Sequence, residues 1–211
     1  MVNMRFISFP LLLLTSASFA QVHPHVNDFI PPGWEIEYSL RADLTGDTVA
    51  DLALILVERI DEDTYGHRKL IVLKKRKTDY ELIGRSNDSA LKVAFEWPGA
   101  IQKGDTDMIN LRSKDGKLIL NQDWHAGPTA SDKTTFRYDA AHHRMRVIGQ
   151  DTHVFFGGQE DEDEDTSTNF LTGVSVTTTS KEGGSKGTNR RTKTSRISKK
   201  IIWMEDLEET Y

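Results

Sequence analysis

Apolar and polar residues keep no single period along this chain, and the breaks between patterns mark its elements. The first apolar run, Phe6 through Leu14, is interrupted once by Pro10, preceded by Arg5 and followed by the small-residue stretch Thr15 to Ala20. Positive charge, an apolar run, then small residues at Ser18 and Ala20 is the order of a secretory signal, and the run is shorter than the ~20 residues a membrane span needs. The expectation is a cleavable signal over 1–20 and a mature chain over 21–211, periplasmic or secreted.

Beyond it, Pro31, Pro32 and Gly33 forbid helix and feed an extended segment, Glu35 to Ala42. Leu52 to Val57 is an unbroken apolar run bounded by charge, which suits a strand buried on both faces and is short for a helix. Further short strands are predicted over Lys69–Lys74, Tyr80–Ile83, Met108–Leu111, Lys117–Leu120, Thr134–Tyr138, Met145–Ile148, Val174–Thr179 and Thr192–Ile197. Asp115-Gly116 supplies the positive φ angles of a tight hairpin turn, and Glu182 to Ser185 supplies another hairpin. The fold class expected is mainly β: an antiparallel, sandwich-like single domain with little helix. No fixed-period repeat points to a solenoid or propeller.

Composition sharpens this picture. The chain has no cysteine, so it carries no lipidation cysteine and its core must hold without disulfides. A mature chain of about 190 residues is long enough to do so. The formal net charge is −5, and losing Arg5 with the signal makes the mature chain more acidic still. That balance gives no general affinity for nucleic acid or for an anionic membrane surface.

Two charge blocks interrupt the strand pattern. Glu160, Asp161, Glu162, Asp163, Glu164 and Asp165 are consecutive carboxylates, and 159–168 reads as a solvated acidic loop because packed like charges repel. Residues 180–200 form a basic hairpin carrying Lys181, Lys186, Arg190, Arg191, Lys193, Arg196, Lys199 and Lys200. A sharper alternative has the acidic loop meet the basic hairpin, of this chain or of a partner, in a contact that salt weakens.

One local pattern carries chemistry. Asp43-Leu44-Thr45-Gly46-Asp47-Thr48-Val49-Ala50-Asp51 places oxygens at alternate positions, as hard cations require. Calcium ligands would be the side chains of Asp43, Thr45, Asp47 and Asp51 with the carbonyl of Val49. Against this, the sixth position, where such loops usually turn with Gly, is the β-branched Thr48, and an ordinary aspartate-capped turn explains the same residues. The expected cofactor is calcium or none.

This loop looks like the aspartate element of FG-GAP/VCBS-type repeats. The chain more particularly resembles a group of uncharacterised bacterial exported proteins with a Phe-Ile-Pro-x-Gly-Trp opening, one such loop, a Phe-Arg-Tyr strand and an Asn-Phe-Leu-Thr-Gly turn. The matching residues are Phe29–Trp34, Asp43–Asp51, Phe136–Tyr138 and Asn169–Gly173. The resemblance implies a bacterial periplasmic or secreted β-rich protein and no activity. A single aspartate loop does not imply a seven-bladed propeller.

No nucleophile elbow, zinc-protease helix motif, P-loop or nucleophilic cysteine is present. Asp123, His125 and Ser131 flank Trp124, but sequence neighbours on a strand and loop seldom converge into a triad. Trp97, in the Ala94–Gly99 loop, reads as an exposed aromatic suited to anchor a partner, as does the Glu160–Asp165 run. The expected function is an exported, non-enzymatic binding or interaction protein, one form of which is a periplasmic immunity or inhibitor protein with a protein partner in the cell envelope. The alternative is a cell-envelope hydrolase using carboxylates or a metal.

Overall fold

A computed structural model describes residues 25–61, 65–87, 109–125, 129–156, 162–182 and 188–207. The expected signal, Trp97, Glu160 and Asp161 lie outside them. Twelve strands occur among the described residues: β1 (Trp34–Ala42), β2 (Asp51–Arg59), β3 (Tyr65–Lys75), β4 (Tyr80–Arg85), β5 (Ile109–Lys114), β6 (Lys117–His125), β7 (Thr129–Asp139), β8 (Arg144–Phe156), β9 (Glu162–Asn169), β10 (Val174–Glu182), β11 (Thr188–Arg196) and β12 (Ile202–Trp203). Short 3-10 turns lie at Val26–Phe29 and Met204–Asp206.

The fold is mainly β, as the spaced strands predict, and its two antiparallel sheets pack as a sandwich. The smaller sheet runs β1-β2-β3-β4; the larger runs β11-β10-β9-β8-β7-β6-β5, with β12 beside the start of β8. Asp115 and Gly116 turn β5 into β6 with φ 52° and 67°, the left-handed pair a two-residue hairpin needs.

Residues Asp51 to Val57 are all buried, because β2 is covered on both sides. Ala53 and Ile55 face the inter-sheet core, where they join Leu70, Val72 and Ile83 against Leu111, Leu118, Leu120, Phe136, Met145 and Val147 of the larger sheet. Leu52, Leu54 and Leu56 face the other way with Ile71 and Leu73, and Val26, Phe29, Ile30, Trp34 and Tyr80 close over them. Full burial of a side chain of this size contributes about 1.5–3 kcal/mol, so this doubly covered strand is the anchor of the smaller sheet.

The alternation of β7 shows how the larger sheet outgrows the core. Ala130, Asp132, Thr134 and Phe136 are buried on one face, while Ser131, Lys133, Thr135 and Arg137 face outward. Of these four, Phe136 joins the inter-sheet core. Further out Thr134 and Asp132 are polar and buried, and Asp132 accepts a hydrogen bond from Thr152 Oγ1 at 2.7 Å.

The acidic stretch is corrected by the structure over 162–168. These residues belong to strand β9, not to a loop. A strand sends successive side chains to opposite faces, so Glu162 and Glu164 are separated from Asp163 and Asp165. Lys181 stands opposite Glu162 and His153 opposite Asp165. Like charges adjacent in sequence are thereby split and offset. Strands β10 and β11 pair antiparallel, and β10 lies between the acidic strand and the basic one.

One ion pair is buried inside the smaller sheet. Glu37 sits at the bulge of β1, between Ile36 and Tyr38, and both its oxygens accept from Arg68 on β3, at 2.6 and 2.7 Å. The Arg68 side chain is 1% exposed and Glu37 12%. Removing one member strands a buried charge. Glu37→Ala is expected to lower the unfolding free energy by about 3–5 kcal/mol, read by urea denaturation; a change below about 1 kcal/mol, typical of exposed pairs, would refute the assignment.

Candidate functional site

The aspartate loop joins β1 to β2, and its three carboxylates accept chiefly from backbone amides, while the buried Thr45 hydroxyl has no hydrogen-bond partner among the described residues. Asp43 accepts from the backbone N–H of Gly46 at 2.7 Å, Asp47 at 3.2 Å and Thr48 at 2.9 Å. Asp51, fully buried, accepts from Leu44 at 3.0 Å and Thr45 at 3.1 Å with Oδ2, and from Lys75 at 3.0 Å with Oδ1. Asp47 accepts from the Val49 amide at 3.0 Å and pairs with Lys74 at 3.1 Å. Thr48 does take the left-handed backbone that its position in the loop demands, at φ 67°. The candidate ligands Asp43, Thr45, Asp47, Val49 and Asp51 therefore share one loop, but their carboxylates hold the turn together and seat Leu44 in the inter-sheet core. Among the described residues no group of three metal-ligating side chains is placed to hold an ion.

Asp51, at the start of β2, thus acts as a structural clasp between the loop that leaves β1 and strand β3. Asp51→Ala removes three charge-assisted bonds from buried amides, and a loss of about 3 kcal/mol or more is expected in a thermal or urea melt. The same melt run with added calcium is expected to show no upward shift, because an ion would have to displace these amides; a rise with calcium that Asp43→Ala abolishes would overturn this assignment.

The constellation that could serve a ligand lies elsewhere, on the outward face of the larger sheet. A recess of about 590 Å³ crosses β5 to β10 there, within the size range of ligand pockets. Its floor is two rows of side chains read directly from the strand register. In the first, Asp123 of β6 stands opposite Ser131 of β7, Ser131 opposite His153 of β8, and His153 opposite Asp165 of β9. In the second, two residues along each strand and so on the same face, stand Asn110, Asn121, Lys133, Asp151 and Ser167.

Bonds within the rows fix their side chains. His153 Nδ1 is 2.8 Å from Asp165 Oδ1. Asp151 accepts from Lys133 Nζ at 2.5 Å and from Ser167 Oγ at 2.6 Å. Asn121 Nδ2 donates to Asn110 Oδ1 at 2.9 Å. Partial burial pushes the Asp151 carboxyl up, but the Lys133 and Ser167 bonds outweigh it and hold its pKa below the ordinary value.

Of the residues singled out from sequence, Asp123 and Ser131 are brought together and Asp165 joins them. Trp124 and His125 lie on β6, His125 in register with Thr129 and not with Ser131; the histidine in line with Ser131 is His153. Sequence reading missed His153, Lys133, Asp151, Asn110 and Asn121, because four strands contribute them and no local motif links them. A signal was present: Ser131-x-Lys133, Asp151-x-His153 and Asp165-x-Ser167 each put polar groups at a spacing of two. His142, exposed in the turn between β7 and β8, bonds Asp139 at 3.0 Å and lies 5.1 Å from the Trp203 ring.

No protein-family model matches the chain, and no curated protein or solved structure matches it. Among the described residues no helix is long and apolar enough to cross a membrane.

Among the described residues three carboxyls titrate low. Asp47 is held down by the Val49 amide and then by Lys74, Asp139 by the His142 side chain, and Asp151 by Lys133 and Ser167 against its burial. A depressed folded pKa stabilises the fold above the unfolded carboxyl value of about 3.9 and loses that stabilisation as pH falls through the lower folded values. The melting temperature is expected to hold through mildly acid solution and fall below about pH 4. Asp139→Asn, at the least exposed of the three, should make that fall shallower; an unchanged acid limb would count against the assignment.

Proposed function

We propose that this chain is an exported binding protein, periplasmic or secreted, that engages its ligand on the recessed outer face of the larger sheet. The observation that carries the reading is the row Asp123, Ser131, His153, Asp165, with hydrogen-bonding groups from four strands lined up in one open recess. Side chains on paired strands are held by the ladder, so the array is preorganised and loses little entropy on binding. The acidic strand β9 extends the contact surface beside it. Calcium has no part in this reading.

A second reading is favoured by the same row. Ser131, His153 and Asp165 are the residue types of nucleophile, base and orienting carboxylate, which supports a cell-envelope hydrolase. In that case the Ser131 hydroxyl adds to an acyl carbon, its proton passes to His153, and Asp165 holds the imidazole. The half-exposed positions of His153 and Asp165, 46% and 56%, favour binding over catalysis, because charge stabilisation in a reacting site works best with water excluded.

One experiment addresses both. The full chain is immobilised and used to capture material from envelope extracts, beside an Asp123→Ala/His153→Ala variant, and is separately treated with a fluorophosphonate probe. Specific capture lost in the variant, with no labelling, is the expected result. Labelling of Ser131 that Asp165→Asn abolishes would replace the binding reading with the hydrolase, and capture indifferent to the recess variant would remove the recess from the account.

A further inference from the structure

Resting on the binding reading, the recess also says what kind of ligand suits it. Its two rows leave a specific set of atoms unsatisfied. The Asp123 carboxylate, the Ser131 hydroxyl and the Arg112 guanidinium have no side-chain partner among the described residues. His153 bonds Asp165 through Nδ1 and Oδ1, which leaves Nε2 and Oδ2. The Asn110–Asn121 bond leaves one amide oxygen and one amide nitrogen. Acceptors and donors thus alternate across the recess.

Charge in the recess is modestly acidic. Asp123, Asp132, Asp151 and Asp165 line it against Arg112 and Lys133, but Asp132 is buried and bonded to Thr152 and Asp151 is paired with Lys133, so Asp123 and Asp165 are left to meet a ligand beside Arg112. A polyanion would meet Asp123 and Asp165, and a polycation would leave the donors unused and meet Arg112. A neutral group that both donates and accepts at each point uses the whole set, and a hydroxyl is such a group.

Shape adds two constraints. The lining residues run from Asn110 on β5 to Val176 on β10, five strand steps, or about 24 Å at about 4.8 Å per step. That length suits a chain of linked units better than a compact small molecule. At the margin, Phe155 follows His153 by two residues on β8, on the same face, and is 38% exposed. An aromatic ring there offers a flat apolar surface against which a C–H face can stack.

We infer that the recess binds a neutral oligosaccharide, with Asp123, Ser131, His153 and Asp165 contacting its hydroxyls and Phe155 packing on one ring. Calorimetric titration of the full chain with maltohexaose, cellohexaose and chitohexaose, and with tripolyphosphate and spermine as charged controls, tests this. At least one hexasaccharide should bind. Asp123→Ala and Asp165→Asn should each weaken it about 10-fold, as loss of a charge-assisted hydrogen bond implies. Phe155→Ala should weaken it too, whereas Lys193→Ala on the far edge strand should not. All four positions are exposed, and an unchanged thermal melt confirms that the variants fold. Binding of tripolyphosphate or spermine alone, or hexasaccharide binding indifferent to the recess variants, overturns the inference. If no hexasaccharide binds but capture from envelope extract still depends on the recess, the sugar assignment falls and the binding reading stands; if that dependence is absent too, both fall.

Discussion

The hydrogen-bonded ladder between β7 and β8 is the constraint on which the rest of this structure depends. It is continuous from Asp139–Arg144 to Thr129–Phe155, with one register shift beside Phe136. At one end Phe136, Met145 and Val147 are locked into the apolar core between the sheets. At the other, the same two strands carry Ser131, Lys133, Asp151 and His153 beyond that core. Core packing, which is dense and resists displacement, therefore sets the position of the recess through covalent continuity alone. The strands act as levers whose fulcrum is hydrophobic.

How much of this was legible in the sequence depends on how local each feature is. The doubly buried β2 was readable because its signal is composition over a single run, and the Asp115-Gly116 hairpin because a two-residue turn dictates its own chemistry. Thr48 was flagged as an awkward occupant of a left-handed position, and it occupies one. Strand β9 was not readable, because a run of carboxylates scores as repulsion until it is known that alternation will divide them between two faces and set Lys181 and His153 across from them. The recess was least legible of all. Its members come from strands far apart in sequence, and register, which no single segment contains, brings them into line.

Charge is arranged along the larger sheet in a way that bears on solubility as well as on binding. Acidic β9 and basic β11 are kept apart by β10, whose Thr177, Thr178 and Ser175 hydroxyls bond to Thr166, Thr192 and Thr168 on either side. Every residue of β11 is exposed, and it carries Arg190, Arg191, Lys193 and Arg196. A free sheet edge invites pairing with another chain, and cationic side chains discourage it. The basic block is therefore accounted for first as protection of an edge.

A ligand site on the outside of a sheet follows from the same economy of materials. Without cysteine, the molecule depends on apolar packing for stability, and the space between its sheets is filled by Leu, Ile, Val, Phe and Met side chains, leaving no room for polar chemistry there. Polar function has to sit where the larger sheet extends past the smaller one. Beneath the recess, Gln122, Asp132 and Thr134 are buried on the opposite face, and a buried polar group holds its place only when bonded. The Asp132–Thr152 bond ties β7 to β8 directly under the row that holds Ser131 and His153. The outer face is thus open to solvent yet backed by a bonded layer, which lets half-exposed side chains keep fixed relative positions.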